Sequence, residues 1–134
     1  MSSSTARNVL IVGASRGLGL EFVRQYRSDG ARVTATARGD DGLAAIAALG
    51  ARPLKLDVAD AASASGLAWQ IDGAGFDTVF HVSGVYGPRT AGLEPPSVDD
   101  FDAVMHTNVL GAMRVLASLG DALAAPSEIG RAHV

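Results

Sequence analysis

Gly13-Ala14-Ser15-Arg16-Gly17-Leu18-Gly19 is the stretch whose residue types and spacing bear most directly on chemistry. Glycines let a backbone turn tightly, and without a Cβ they let an anion approach main-chain N–H groups. The stretch follows an apolar run, Val9-Leu10-Ile11-Val12, and opens a segment in which Leu18, Phe22, Val23 and Tyr26 recur at helical spacing. The start of a helix offers unpaired N–H groups and the positive end of its dipole, a natural seat for a pyrophosphate. Glycines alone are a weak signal, since a plain strand-to-helix turn also uses them. A buried strand before and an amphipathic helix after supply the context a dinucleotide loop requires.

A second group lies about twenty residues on, at the end of the next β-branched run, Thr34-Ala35-Thr36-Ala37-Arg38. An acid there would accept a hydrogen bond from the ribose 2′-hydroxyl of NAD. Ala37 stands in its place and Arg38 follows. Arg16 and Arg38 converging on one point suit a 2′-phosphate, gripped by forked, charge-assisted hydrogen bonds; the plainer alternative is two solvated arginines. The missing acid also counts against a methyltransferase, whose methyl donor carries a ribose of the same kind.

These groups need a scaffold, and the chain alternates short strand-like runs with longer helical ones. Strands are expected at Val9–Val12, Arg32–Ala37, Pro53–Leu56 and Thr78–Val82. Helices are expected over Arg16–Ser28, Asp40–Leu49 and from a cap at Asp60 to Ile71, with Gly30, Gly50, Gly73 and Gly75 as stops. A loop rich in Gly and Pro, Gly84 to Pro96, leads to one long helix begun by Ser97, with Asp100 three residues on. Its apolar face is read as Phe101, Val104, Met105, Ala112, Val115, Leu116 and Leu119, with Asn108 on the same buried stripe. Strands separated by helices must run parallel, and right-handed crossovers place helices on both faces. The fold class is therefore α/β, a Rossmann-type doubly wound parallel sheet. Ligands of such sheets sit at the carboxyl ends of the strands, so Val82, Ser83 and Gly84 are expected to line the site.

Composition narrows the function classes. The chain has 134 residues, 48% hydrophobic and 19% charged, which fits a globular domain. A formal net charge of -3 gives no basis for nucleic-acid binding. Without cysteine there is no disulfide or thiolate metal site, and His81, His106 and His133 are too dispersed for a local metal motif. The N-terminal apolar run is too short for a signal peptide or a membrane span, so no membrane partner is expected and a cytoplasmic location is the default.

The G-x-x-x-G-x-G order of Gly13, Gly17 and Gly19, with Arg16 between, resembles the short-chain dehydrogenase/reductase family over roughly Asn8 to Ala125. Val12 replaces the threonine often found before the first glycine. The variant Val82-Ser83-Gly84, the run Val85-Tyr86-Gly87-Pro88-Arg89 and the stretch His106-Thr107-Asn108 look most like a C-factor-like bacterial branch. The resemblance implies strand order 3-2-1-4 for this half of the sheet. It implies a nicotinamide cofactor, NADP(H) preferred over NAD(H), held by Gly13, Ser15, Arg16, Gly17, Leu18, Gly19, Arg38, Asp57, Val58, Val82, Ser83 and Gly84. Asp57 and Val58 would meet the adenine end, although Asp57 reads equally well as a helix cap. Where the family carries Asn-Asn-Ala-Gly, this chain has His81-Val82-Ser83-Gly84, and His81 either replaces one asparagine or is simply packed.

Asn108 matches the Asn of the family's Asn-Ser-Tyr-Lys set, where it holds a water linked to the active-site lysine; a bare structural asparagine is the alternative. The family's substrates are small carbonyl compounds or alcohols, and its members often assemble as homo-oligomers through their fourth and fifth helices. No Tyr-x-x-x-Lys occurs: Tyr26 and Tyr86 are followed four residues on by Gly30 and Thr90. A second expectation for the pocket is a non-catalytic, dinucleotide-binding regulatory protein of the C-factor type. Residues 1–127 read as one truncated dinucleotide-binding domain. Residues 128–134, Glu128 to Val134, resemble the translation of a sequencing adapter and read as a non-native tail.

Overall fold

Strand β1, Asn8–Val12, is buried at all five positions, as its unbroken apolar run requires for a strand covered on both faces. The computed structural model describes residues 6–85 and 87–124, so the expectations for Tyr86 and for Glu128–Val134 lie outside the described residues. The helices and strands that follow are α1 (Gly17–Ser28), β2 (Arg32–Ala37), α2 (Asp40–Ala48), β3 (Arg52–Lys55), α3 (Ala61–Ile71) and β4 (Thr78–His81). Beyond the loop come α4 (Val98–Met105), a π-helical stretch His106–Leu110, α5 (Gly111–Ala117) and a 3-10 turn Gly120–Ala122. The sheet is parallel throughout in the order β3-β2-β1-β4. The four strands and the first three helices fall within a residue or two of their sequence expectations.

Alternation along the strands divides the core into two layers. On one face Val9, Ile11, Val33 and Ala35 pack with Val23 of α1 and Ile46 of α2. On the other, Leu10, Val12, Leu54 and Leu56 pack with Leu67 and Ile71 of α3 and with Val115 and Leu119. Helices thus cover both faces, which is the doubly wound arrangement. The caps follow the sequence. Asp60 accepts a hydrogen bond from the Ala62 N–H at 3.0 Å, Ser97 accepts one from the Asp100 N–H at 3.1 Å, and Gly30, Gly50, Gly73 and Gly75 take positive φ.

Two expectations need correction. The helical stripe puts Leu18 on the buried face of the first helix, but it is 61% exposed; the helix instead buries Gly19 and Val23. Its first turn stands at the rim of the sheet, above the core. The last helix is not one regular α-helix with one apolar face. Val115 and Leu119 are buried, whereas Phe101, Met105 and Leu116 are exposed. Helix α4 buries none of its residues, so of the expected stripe Val115 and Leu119 alone reach the core, with Val104 and Ala112 half-buried.

Past the 3-10 turn the chain returns to the sheet. Phe76, just before β4, donates its N–H to Ala122 O at 2.7 Å and accepts from the Ala124 N–H at 2.8 Å. This parallel bridge to Leu123 lies beside a side chain that is only 1% exposed. Phe76 therefore joins the amino end of β4 to the end of the last helix. Phe76→Ala is expected to destabilise the fold by about 3–5 kcal/mol in a denaturant titration. Trp69→Ala, at a side chain 88% exposed on α3, should stay within about 0.5 kcal/mol of the unsubstituted chain.

Candidate dinucleotide-binding site

The carboxyl ends of the four strands open onto a cavity of about 900 Å³, within the range of small-molecule sites. Every site residue expected from the sequence reaches its lining: Gly13, Ser15, Arg16, Gly17, Leu18 and Gly19 from the β1–α1 loop, Arg38 after β2, Asp57 and Val58 after β3, Val82, Ser83 and Gly84 after β4, and Asn108 from the π-helical stretch.

The loop is held by close backbone approach. Gly13 has φ +93, and a Cβ there would lie 2.7 Å from Ser83. A Cβ on Gly19 would come within 2.0 Å of Gly13 O, so the loop folds back against the first turn of α1. At Gly17, with φ +58, an added Cβ would meet nothing within 4 Å, so this glycine faces open space. Thr36, 1% exposed in β2, ties the loop to the sheet. Its Oγ1 accepts from the Gly13 N–H at 3.0 Å and its carbonyl from the Ala14 N–H at 2.8 Å.

The start of α1 is electrostatically bare. Arg16 is its N-cap with extended backbone; no side chain caps it, and its first turn holds no acid. By contrast α2 carries Asp40 and Asp41 in its first turn, α4 carries Asp99 and Asp100, and α3 is capped by Asp60. The unpaired N–H groups of α1 therefore meet the cavity with a positive dipole end and no competing carboxylate. Among the described residues the one ion pair is Arg24 with Glu21, which leaves Arg16 and Arg38 without a carboxylate partner there.

The remaining residues are more structural. Asp57 Oδ1 accepts from the Ala59 N–H at 3.0 Å, and the Asp57 N–H donates to Ser63 Oγ at 2.9 Å. Asp57 thus fixes the turn after β3, while the helix cap proper is Asp60. The Val58 side chain is buried in the core, and its carbonyl sits against Gly111, where a Cβ would lie at 2.6 Å. The Val82 and Ser83 N–H groups both donate to Val12 O, at 2.8 and 3.0 Å.

Helical spacing puts Asn108 on the buried stripe of its helix. It is half-buried instead and turned toward the loop after β4. Its Oδ1 accepts from the Val85 N–H and its Nδ2 donates to Val85 O, both at 2.7 Å. A paired amide holding both polar groups of one residue is a clamp on that loop. Of the two readings of His81, the structure shows the packed one. Both ring nitrogens are buried and lack a partner among the described residues, and burial lowers the imidazole pKa below its ordinary 6.5.

Thr36 and Gly111 shape the site without having been singled out by the sequence, and Val85, read there only as part of a family-like run, is held by Asn108. Thr36 carried a signal, a polar residue two positions before Arg38 in an otherwise buried strand. Val85 acts through its backbone, which no residue type announces.

The sequence matches the short chain dehydrogenase family over residues 7–131, and the chain belongs to that family. Several solved structures are similar. A Burkholderia multivorans protein, provisionally named a short-chain alcohol dehydrogenase, is 33% identical with a TM-score of 0.78; the match covers 89% of this chain and 57% of that one. A carbonyl reductase from Pseudomonas aeruginosa is 28% identical with a TM-score of 0.74, covering 87% and 56%. A Serratia marcescens short-chain dehydrogenase/reductase variant is 26% identical with a TM-score of 0.73, covering 87% and 51%. The chain thus spans a little over half the length of these structures. A search of curated proteins finds no match. Family membership implies a nicotinamide dinucleotide cofactor, and the glycine loop, the bare start of α1 and the open space at Gly17 fit one.

Two outcomes follow. Thr36→Val keeps the shape but leaves the Gly13 N–H without its acceptor, and should cost about 1–3 kcal/mol in denaturant unfolding. For His81, the folded protein favours the neutral ring, so the unfolded chain binds more protons as pH falls below 6.5. Its contribution is fully present above that pH and is lost as pH drops toward the lower folded-state pKa. Stability measured against pH should fall less steeply below 6.5 for His81→Leu than for the unsubstituted chain.

Proposed function

We propose that this chain is the cofactor-binding part of an NADP(H)-dependent short-chain oxidoreductase that reduces a small carbonyl compound or oxidises the matching alcohol. The observation that carries the reading is the bare N-terminus of α1, flanked by Arg16 and Arg38 with no carboxylate partner among the described residues. The α1 N–H groups would hold the pyrophosphate, and the two guanidiniums the 2′-phosphate. Asp57 and Val58 would border the adenine, and Val82, Ser83 and Gly84 would line the cofactor. When bound, the nicotinamide supplies or accepts hydride, the chemistry that a carbonyl reductase and an alcohol dehydrogenase run in opposite directions.

Asn108 would act in catalysis by holding a water on the proton path. Val85 already occupies one lone pair of its Oδ1 and one hydrogen of its Nδ2, so that water falls to the remaining amide sites or to the main chain. The same reading makes the whole protein a cytoplasmic homo-oligomer. Exposed Phe101, Met105 and Leu116 support assembly. Among the described residues no helix is long and apolar enough to cross a membrane.

Calorimetric titration with NADPH and NADH tests the cofactor. NADPH should bind more tightly, and Arg16→Ala or Arg38→Ala should each weaken it by about tenfold or more, the worth of a charged hydrogen bond, with NADH little changed. Equal affinity for the two cofactors, or indifference to both substitutions, would overturn the preference.

A further inference from the structure

Gly42 lies in the first turn of α2, buried, with no positive φ to require a glycine. Glycine inside a helix is unfavourable relative to alanine, so its use there calls for another cause. A Cβ on Gly42 would lie 2.7 Å from Ser15 Cβ, 2.8 Å from Ala37 Cβ and 3.1 Å from Ser15 Cα. None of these is the end of a flexible side chain. Ser15 and Ala37 are the residues immediately before Arg16 and Arg38. The start of α2 is therefore seated against both arginine-bearing segments at once, and only a residue without a side chain fits.

We infer that Gly42 is a positioning residue for cofactor discrimination: by letting α2 seat against Ser15 and Ala37, it sets the gap between Arg16 and Arg38 to the span of a 2′-phosphate. The inference rests on the two-arginine reading above. A methyl group at this point must push α2 off Ser15 and Ala37 or part those two residues locally, since the atoms it meets are fixed to the backbone. Forked hydrogen bonds from two guanidiniums to one phosphate depend on that spacing. The pyrophosphate seat at the start of α1 does not, because it is tied to β2 separately through Thr36. Losing the spacing should therefore cost the 2′-phosphate contact and leave the rest of the nucleotide held.

The test is calorimetry with 2′,5′-ADP and 5′-AMP on the full chain, as Gly42→Ala and as Gly66→Ala. Gly66 is the matched control, a glycine within α3 where an added Cβ meets nothing within 4 Å. Gly42→Ala should weaken 2′,5′-ADP by about tenfold, the equivalent of one charged hydrogen bond, and leave 5′-AMP within about twofold. Gly66→Ala should change neither. Equal weakening of both ligands by Gly42→Ala, or no change in either, overturns the positioning role while the two-arginine reading stands. An unsubstituted chain that binds 2′,5′-ADP no better than 5′-AMP removes the two-arginine reading, and this inference with it.

Discussion

Two hydrogen bonds to Thr36, from the Gly13 N–H to its hydroxyl and from the Ala14 N–H to its carbonyl, fix where α1 begins. Without them the glycine loop would be free to wander, because glycines at φ +93 and +58 impose little of their own. With them, the loop lies across the end of β1 and presents the first turn of α1 to the cavity. That turn lacks both a side-chain cap and an acid, so its N–H groups stay available to an anion. The other site features are arranged around this seat. Arg16 extends from it, Arg38 leaves the next strand, and Ser83 closes against Gly13.

The far wall of the cavity is set by the last helix through three close approaches. Asn108 clamps the Val85 backbone, a Cβ on Gly87 would meet Val104 at 2.6 Å, and Gly111 sits against the carbonyl of Val58. All three fall on or beside the π-helical stretch. Here local structure and site geometry are one matter: the change in helical phase lets Asn108 face the loop while Val115 and Leu119 face the core.

Much of this was legible in the residues. The four strands show as β-branched or apolar runs bounded by glycine, and the parallel order follows from the helices between them. The glycine spacing and the two arginines located the cavity, because loops at strand carboxyl ends must converge. What escaped the sequence has physical causes. Leu18 fits both a helical stripe and the cofactor loop, and it lines the cavity instead of joining the core. Phe101 and Met105 fit a helical stripe, yet α4, which carries them, buries none of its residues against the described elements. His81 gave two readings that are separated only by its ring nitrogens, which have no partner among the described residues. The clamp on Val85 is a backbone contact from a distant residue, which one-dimensional spacing does not encode.

The central claim is that the start of α1 is the anion seat. Amide NMR shifts of the chain titrated with NADPH test this most directly. Changes are predicted to concentrate at Gly13 to Gly19, Arg38 and Val82 to Gly84, with little change at Asn8, Arg32 and Arg52 on the opposite end of the sheet. Shifts gathered at that opposite end, or none in the glycine loop at saturating cofactor, would contradict it.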